Sequence, residues 1–303
     1  MLYNPLNTFL SIARHPGNQG KSIKSIWRYL KWQISSRLTG LTGVMPWIDE
    51  SSLYIRLHEA MVTHNYYTGL YEFDDMIFLL RYLNTSDVLI DVGANSGVYT
   101  VLAAKVKGAS VLAFEPIPKT YERLLLNVCL NNIQSMVNCI NMGLADKKGE
   151  LAFTVSQDAT NHVSDQNEGV ETAKVLVSTL DDEVDRFAIE PTILKIDVEG
   201  YEYFVLKGGS KVLSNSSLNI VLIETNNSGM RYGYSDNEIA KLLNNFGFWP
   251  YSYDSQGNQL NRINEKKSKN QNTLFIKDIE KVKPRLLCKQ SYTVHPIKRK
   301  IVV

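Results

Sequence analysis

Val88-Leu-Ile-Asp-Val-Gly-Ala-Asn-Ser-Gly97 reads as an apolar strand that runs straight into a glycine-bearing turn. Val88 to Val92 is β-branched and apolar, broken only by Asp91, and residues 98–107 then read as a helix. A strand, a Gly turn and a helix start together make a ligand site. Glycine lets the backbone approach a ligand closely, and the helix N-terminus presents free N–H groups to negative charge. Asp91 stands out. A carboxylate at the end of a buried strand is costly unless a cation or hydrogen-bond donors meet it. The expected ligand therefore carries a positive group.

The dinucleotide fingerprint G-x-G-x-x-G uses its second glycine to bring the backbone against a pyrophosphate. Here Gly93 and Gly97 are glycines, but Asn95 and Val98 occupy the second and third glycine positions. That turn suits a phosphate poorly. It suits S-adenosylmethionine (SAM), which carries an ammonium, a carboxylate and a sulfonium. Asp91 matches the cationic end, and the N–H groups from Asn95 to Gly97 match the carboxylate. A second strand, Ser110 to Glu115, ends in Glu115-Pro116. An acidic residue about 20 positions after the Gly turn binds a ribose diol through its two oxygens. Read singly, the glycines are turn residues and Glu115 is a helix-start carboxylate. The spaced set of Asp91, Gly93, Asn95, Gly97 and Glu115 favours the ligand site.

With these residues in place the sequence resembles the FkbM-type SAM-dependent methyltransferases. The resemblance rests on Asp91-Val-Gly-Ala-Asn-Ser-Gly97, Phe114-Glu-Pro-Ile-Pro118, Ser178-Thr-Leu-Asp-Asp182, Leu194-Lys-Ile-Asp-Val-Glu-Gly-Tyr-Glu202, Val205-Leu-Lys-Gly-Gly209 and Ile223-Glu-Thr-Asn226. It covers residues 66–277. It implies a class I Rossmann-like fold and methyl transfer, usually to oxygen, on sugars or natural products. Asn226 departs from the pattern, because relatives often carry His after the Ile-Glu pair.

A chain of 303 residues buries a sizeable core, and one domain with extensions is the simplest count. The formal net charge of +2 gives no global steering. Its distribution is uneven. No Asp or Glu precedes Asp49, whereas Arg14, Lys21, Lys24, Arg28, Lys31 and Arg37 do. Residues 1–65 read as a basic, partly helical extension, 66–278 as the main domain and 279–303 as a basic tail. Cys129, Cys139 and Cys288 lack the spacing of a disulfide framework or zinc site. They fit a reducing, cytoplasmic setting, and the sequence shows neither a spanning segment nor a signal-peptide core.

Along the chain, Ile23, Ile26, Trp27, Leu30, Ile34 and Leu38 recur at helical spacing among Lys24, Arg28 and Lys31. The bland reading is a helix packed on the main domain. The sharper one is a basic amphipathic helix on an anionic membrane surface, peripheral to its inner face. Residues 64–69 read as a loop and 73–83 as a helix. Strands at 88–92, 110–115 and 136–141 alternate with helices at 98–107 and 119–131. A strand pair near 149–156 and 173–179 brackets a polar insertion. Strand 192–197, helix 203–213, strand 218–224, helix 236–246 and strands 248–253 and 273–277 follow, with a polar hairpin loop at 255–272. Such alternation indicates an α/β fold with a mostly parallel sheet. The family resemblance makes it a seven-strand sheet with helices on both faces.

Ligands bind at the carboxyl ends of parallel strands. That rule gathers Asp91, Glu115, Asp197, Glu199 and Glu224 to one rim. An alcohol acceptor must lose a proton during methylation, and a positioned base contributes ~10²–10⁴-fold. Asp197, at the end of an apolar strand, is the first candidate base. Its bland reading is a carboxylate paired with Lys195. Glu199 is the second candidate. Glu224 and Asn226 are candidates for acceptor hydroxyls. His162, in the polar insertion, is a third candidate base, although most loop histidines are merely solvated. Three carboxylates suit a divalent metal too, which ranks below base catalysis because no His lies in the blocks, so no metal ligand is assigned. Asp146 is placed at the adenine amine and Glu72 at the methionine end. The alternatives are an NAD-dependent oxidoreductase, a SAM-binding adaptor in glycan assembly, and a nucleic-acid methyltransferase. The main domain lacks the basic–aromatic stripe that a nucleic-acid partner needs.

Overall fold

Four buried, largely apolar runs and a half-exposed edge run, Val137–Ile140, build the parallel part of one twisted sheet. The structure is a computed structural model that describes residues 5–40, 42–56, 59–155, 160–164, 169–264 and 272–303. Among these, eight strands form the main sheet, here β1 to β8 in chain order: Val88–Val92, Ser110–Phe114, Val137–Ile140, Ile193–Ile196, Ile220–Glu224, Trp249–Asp254, Gln259–Arg262 and Asn272–Ile276. Their spatial order is β7-β6-β8-β5-β4-β1-β2-β3. The strands from β3 across to β5 pair in parallel, while β8 runs against both β5 and β6 and β7 runs against β6. The sheet is therefore mixed. It is the class I methyltransferase arrangement expected from the sequence, with one more edge strand. That strand, β7, lies within residues 255–272, read above as a loop; its polar residues suit a solvent-facing edge. Residues 265–271 of that stretch, and 156–159 and 165–168 of the polar insertion, lie outside the described residues.

Alternate residues of each central strand face opposite layers. Leu89, Val111, Ile193 and Leu222 join one apolar cluster, whereas Ile90, Leu112, Leu194 and Val221 join the other. The strand order reverses between β1 and β4. In open α/β sheets the ligand crevice lies there, outside the carboxyl ends. A three-stranded flap of Gly143–Leu144, Gly149–Thr154 and Thr172–Ser178 stands beside this crevice. The helix expected at 203–213 is two helices, Glu202–Lys207 and Ser210–Ser214. Gly208 lies at the break, where a Cβ would meet the Ala145 carbonyl oxygen at 2.1 Å.

Both ends depart from the sequence reading. Of residues 64–69, all but Gly69 belong to a helix, Ala60–Thr68, in which Tyr67 packs edge-on against Tyr29 at 5.0 Å. The polar and aromatic composition suggested a loop, and tertiary packing overrides it. Residues 279–303 are not a loose tail. They form a helix, Ile279–Leu286, and a hairpin, Ser291–Val294 with Arg299–Val302. Buried Tyr292 accepts a hydrogen bond from Lys107 Nζ at 2.7 Å, and Arg285 pairs with buried Asp87. Trp47, Ile48 and Leu53 share the apolar cluster of the main domain.

Trp47 is fully buried and donates its indole N–H to the Gly69 carbonyl at 2.7 Å. Trp47→Ala should therefore destabilise the whole protein by about 3–5 kcal/mol in urea unfolding. A loss below ~1 kcal/mol, in the range of surface substitutions, would show the extension to be separable from the core.

Candidate active site

β4 is buried along its length, yet it contains a lysine, Lys195. An ammonium inside a central strand survives only with counter-charges. Lys195 Nζ lies 3.1 Å from Asp197 and 3.8 Å from Asp91, and 4.7 Å from the Tyr99 ring centroid. Burial works against its charge, but Asp197, Asp91 and Glu72 outweigh that and push the ammonium above its ordinary value. Asp91 is fully buried and accepts the Thr100 hydroxyl at 2.8 Å. Burial pushes its carboxyl up, against the pull of Lys195 and Thr100. The sequence reading gave Asp91 to a ligand's cationic group; the cation that meets it is Lys195, and Asp91 does not line the cleft cavities described below.

The glycine turn adopts the backbone that its sequence requires. Gly93, Asn95 and Gly97 have φ of 76°, 50° and 84°. At Gly93 a Cβ would fall 1.9 Å from the Asp197 carbonyl oxygen, so only glycine lets β1 pass β4 there. Glu115 faces this turn. Its carboxylate accepts the Asn95 N–H at 2.9 Å and the Ile117 N–H at 3.0 Å. Burial pushes Glu115 up to about 7, against those two hydrogen bonds. One oxygen is engaged by each N–H, and each keeps acceptor capacity for a hydroxyl.

Opposite lie the remaining carboxylates. Asp197, Glu199 and Glu224 each offer an oxygen within 4.8 Å of the others. Glu199 has a φ of 54°, a left-handed conformation that is strained for a side-chain-bearing residue. Gly200 follows at φ 106°. Glu202 holds this turn by accepting the Val198 and Gly200 N–H groups at 3.1 and 3.0 Å, while the Tyr234 hydroxyl donates to the Gly200 carbonyl. Burial and then the Asp197 charge push Glu199 up to about 8 and Glu224 up to about 11. Glu72 accepts the Tyr99 hydroxyl at 2.7 Å and the Asn272 amide at 2.6 Å. Burial, followed by the Asp197 charge, lifts it to about 7. Glu224 Oε2 is buried and meets no donor. The trio can hold protons in common, or a divalent cation.

A cavity of about 40 Å³ lies between the two sides, lined by Gly93, Asn95, Glu115, Asn161, Asp197 and Glu199. A second, of about 10 Å³, reaches Phe114, Met142 and Tyr201. Phe153 of the flap lines both, as do Gly93, Pro116 and Val198. Small-molecule sites span ~300–1,000 Å³, and both cavities are smaller than that with Phe153 in place.

The structure thus brings Gly93, Asn95, Glu115, Pro116, Asp197, Glu199, Glu224 and Glu72 to one rim. It does not bring His162 there. That side chain is buried in the flap, its Nδ1 2.9 Å from the Thr160 carbonyl, and its neighbour Asn161 lines the cavity instead. Asn226 is exposed and uses its amide oxygen to accept the Ser228 N–H, so it closes a turn rather than facing an acceptor. Asp146 is half-buried near Tyr201, whose hydroxyl its charge affects. Lys195 and Glu202 carry the site's electrostatics and were not singled out as site residues. The available signal was a charged residue inside an otherwise apolar strand.

Each raised carboxyl implies a pH dependence of stability. Below its ordinary value of 4.5, Glu224 is protonated folded and unfolded alike. As pH rises from there the unfolded chain releases the proton while the fold retains it, so stability falls by up to ~1.4 kcal/mol per pH unit. Glu72, Glu115 and Glu202 add to this up to about 7, and Glu199 up to about 8. With a chelator present, Glu224→Gln should gain on the parent in thermal unfolding between about pH 5 and about pH 8. An equal difference at both values would show that Glu224 does not carry this proton.

The chain is similar to known methyltransferases. The methyltransferase FkbM domain matches residues 91–249. A hexuronic acid methyltransferase, AglP, of Haloferax volcanii is 33% identical over 174 residues, covering 57% of this chain and 67% of its own. The methyltransferase sdnD of Sordaria araneosa is 29% identical over 209 residues, covering 58% and 79%. A crystal structure of methyltransferase FkbM from Methylobacillus flagellatus aligns with 64% of this chain and 44% of its own, at 17% identity and a TM-score of 0.43. This chain belongs to the FkbM methyltransferase family.

Proposed function

We propose that the chain is a SAM-dependent O-methyltransferase that acts on a sugar or other polyhydroxyl acceptor. The carrying observation is a cleft with the glycine turn and Glu115 on one side and Asp197 and Glu199 on the other, with Glu224 behind them within 4.8 Å. The donor set fits SAM. Gly93 and Asn95 line the cavity, and Glu115 keeps acceptor capacity for a ribose diol. Glu72, Asp197 and Glu199 suit a ligand with an ammonium and a sulfonium. SAM, when bound, supplies an electrophilic methyl group. The hexuronic acid methyltransferase among the relatives supports a carbohydrate acceptor.

The chain's own residues then handle the acceptor's proton. Asp197 is engaged by Lys195 at 3.1 Å. Glu199 lines the cleft without such a partner, and burial and its neighbours hold it at about 8. A base with a value near the working pH is the most effective. We therefore assign proton acceptance to Glu199 and orientation of the trio to Asp197 and Lys195. Glu224, protonated over the neutral range, donates a hydrogen bond to an acceptor oxygen.

The test begins with calorimetric titration of the full chain. Saturable binding of SAM, none of NAD, and weakening of about tenfold or more in Glu115→Ala are expected. No SAM binding by folded protein would overturn the cofactor, and preference for NAD would make it an oxidoreductase. Methyl transfer to hexuronic acid glycosides follows. Turnover should rise with pH through about 8, where Glu199 loses its proton. Glu199→Gln should lose ~10²–10⁴-fold and flatten that limb. Asp197→Asn should lower turnover and keep the limb. A limb retained in Glu199→Gln would return the base to Asp197. Turnover abolished by a chelator and restored by Mg²⁺ would make the trio a metal site.

A further inference from the structure

One face of the helix Ser22–Thr39 is packed and another is not. Trp32 and Ser36 are buried, and Tyr29 meets Phe9 and Tyr67 edge-on at 5.2 and 5.0 Å. Ile23, Trp27, Ile34 and Leu38 are 76%, 68%, 58% and 79% exposed. Positions four and seven apart share one side of a helix, so these four form an apolar stripe turned to solvent. Beside it runs a groove of about 1290 Å³, walled by the helix, Met45-Pro46, Tyr66 and Pro296-Ile297. The groove is built into the fold. Arg28 donates to the Pro296 carbonyl at 2.8 Å, and Lys21 to the Lys298 carbonyl at 2.9 Å.

The rim is basic. Lys24, Lys31 and Lys298 line the groove, and the hairpin carries Arg299 and Lys300 next to it. No Asp or Glu occurs before Asp49 to balance them. Isolated exposed apolar residues are ordinary, but a continuous patch inside a cationic rim marks an interaction site. Among the described residues, no helix is long and apolar enough to cross a membrane. An apolar stripe with Trp at its centre and lysines beside it is the signature of a helix lying in the headgroup plane.

We propose that this helix and its groove dock on an anionic phospholipid surface. Charge complementarity selects that occupant. A second copy of the chain on the same face would set lysines against lysines across a twofold axis. A nucleic-acid backbone would satisfy the lysines and leave Ile23, Ile34 and Leu38 without a partner. An anionic bilayer takes the lysines at its phosphates and the stripe among its acyl chains. The inference stands apart from the assignment of the active site.

Co-sedimentation of the full chain with vesicles tests it. Binding is expected to phosphatidylcholine vesicles containing phosphatidylglycerol, with none to phosphatidylcholine alone. It should weaken about tenfold or more between about 50 mM and about 500 mM salt. Lys24→Glu with Lys31→Glu should abolish it, and Trp27→Glu with Ile34→Glu should reduce it at least about tenfold. All four side chains are on the surface, so melting temperatures should hold; Ile23→Ser with Leu38→Ser is the gentler pair should either double variant unfold. No binding at low salt overturns the proposal, as does undiminished binding by the Trp27→Glu, Ile34→Glu protein. A dimer in light scattering that this variant dissociates would assign the face to a second copy instead.

Discussion

The ammonium of Lys195 is the constraint on which the site depends. It lies in the middle of the sheet, where β1 and β4 run side by side in register, with Asp91 beside Lys195. A buried cation there costs several kcal/mol unless compensated. Asp91 supplies one counter-charge from the neighbouring strand and Asp197 a second from the same strand. Asp91 and Asp197 hold its charge between them. Glu199 and Glu224, which do not pair with it, face one another and Asp197 in a poorly solvated pocket and hold their protons far above the ordinary range. Glu199 and Glu224 are held at about 8 and about 11 within a few ångströms of each other, which is the condition for distinct acid and base roles.

Glu199 shows how the backbone serves that division. Its left-handed φ is unusual for a residue bearing a side chain. The turn is held because Glu202 gathers two N–H groups and the Tyr234 hydroxyl caps the Gly200 carbonyl. Gly200 cannot be replaced without a clash, since a Cβ would approach the Ser228 carbonyl at 2.8 Å. Local strain of ~1–3 kcal/mol is retained in folds only where surrounding contacts over-determine it. Here those contacts turn a carboxylate from the strand end into the cleft. On the other wall the same economy applies. Gly93, Asn95 and Gly97 take the positive φ that the turn needs, and Glu115, which lines the cavity, organises the turn through the backbone.

Much of this was legible in the sequence because it is local. Apolar runs with β-branched residues mark β1, β2, β4 and β5, and the glycines mark the turn. The resemblance of six short blocks to one family then supplied topology that periodicity could not. What escaped depends on contacts between distant segments. His64 to Thr68 has the composition of a loop and becomes helix because Tyr67 finds Tyr29. The last 25 residues read as a basic tail because lysines and arginines dominate the composition, whereas Tyr292, Val294 and Ile297, spaced between them, are what the core takes up. Asp91 was recognised as a carboxylate in need of a cation. Its partner was sought in a ligand, although Lys195 was already in the chain. His162 fits the chemistry of a base, but its ring is committed to Thr160 within the flap.

The two ends of the chain meet away from the sheet and give the molecule a second character. The methyltransferase rim is crowded with acid, and the surface made by residues 21–38 and 295–300 is basic around an apolar stripe. The same helix serves both. Tyr29 and Trp32 bind it to the Ala60–Thr68 helix, and that helix leads directly to Glu72 in the carboxylate network. Tyr66 lies at the contact: its ring packs against Trp32 at 5.6 Å and lines the groove. The extension is therefore too deeply joined to the core to be a tether, yet it leaves four large apolar side chains in water. A fold that needed the helix only for packing would gain solubility from polar residues at Ile23, Trp27, Ile34 and Leu38. Keeping them apolar, beside Lys24 and Lys31, is a feature that core packing does not require and a lipid surface does.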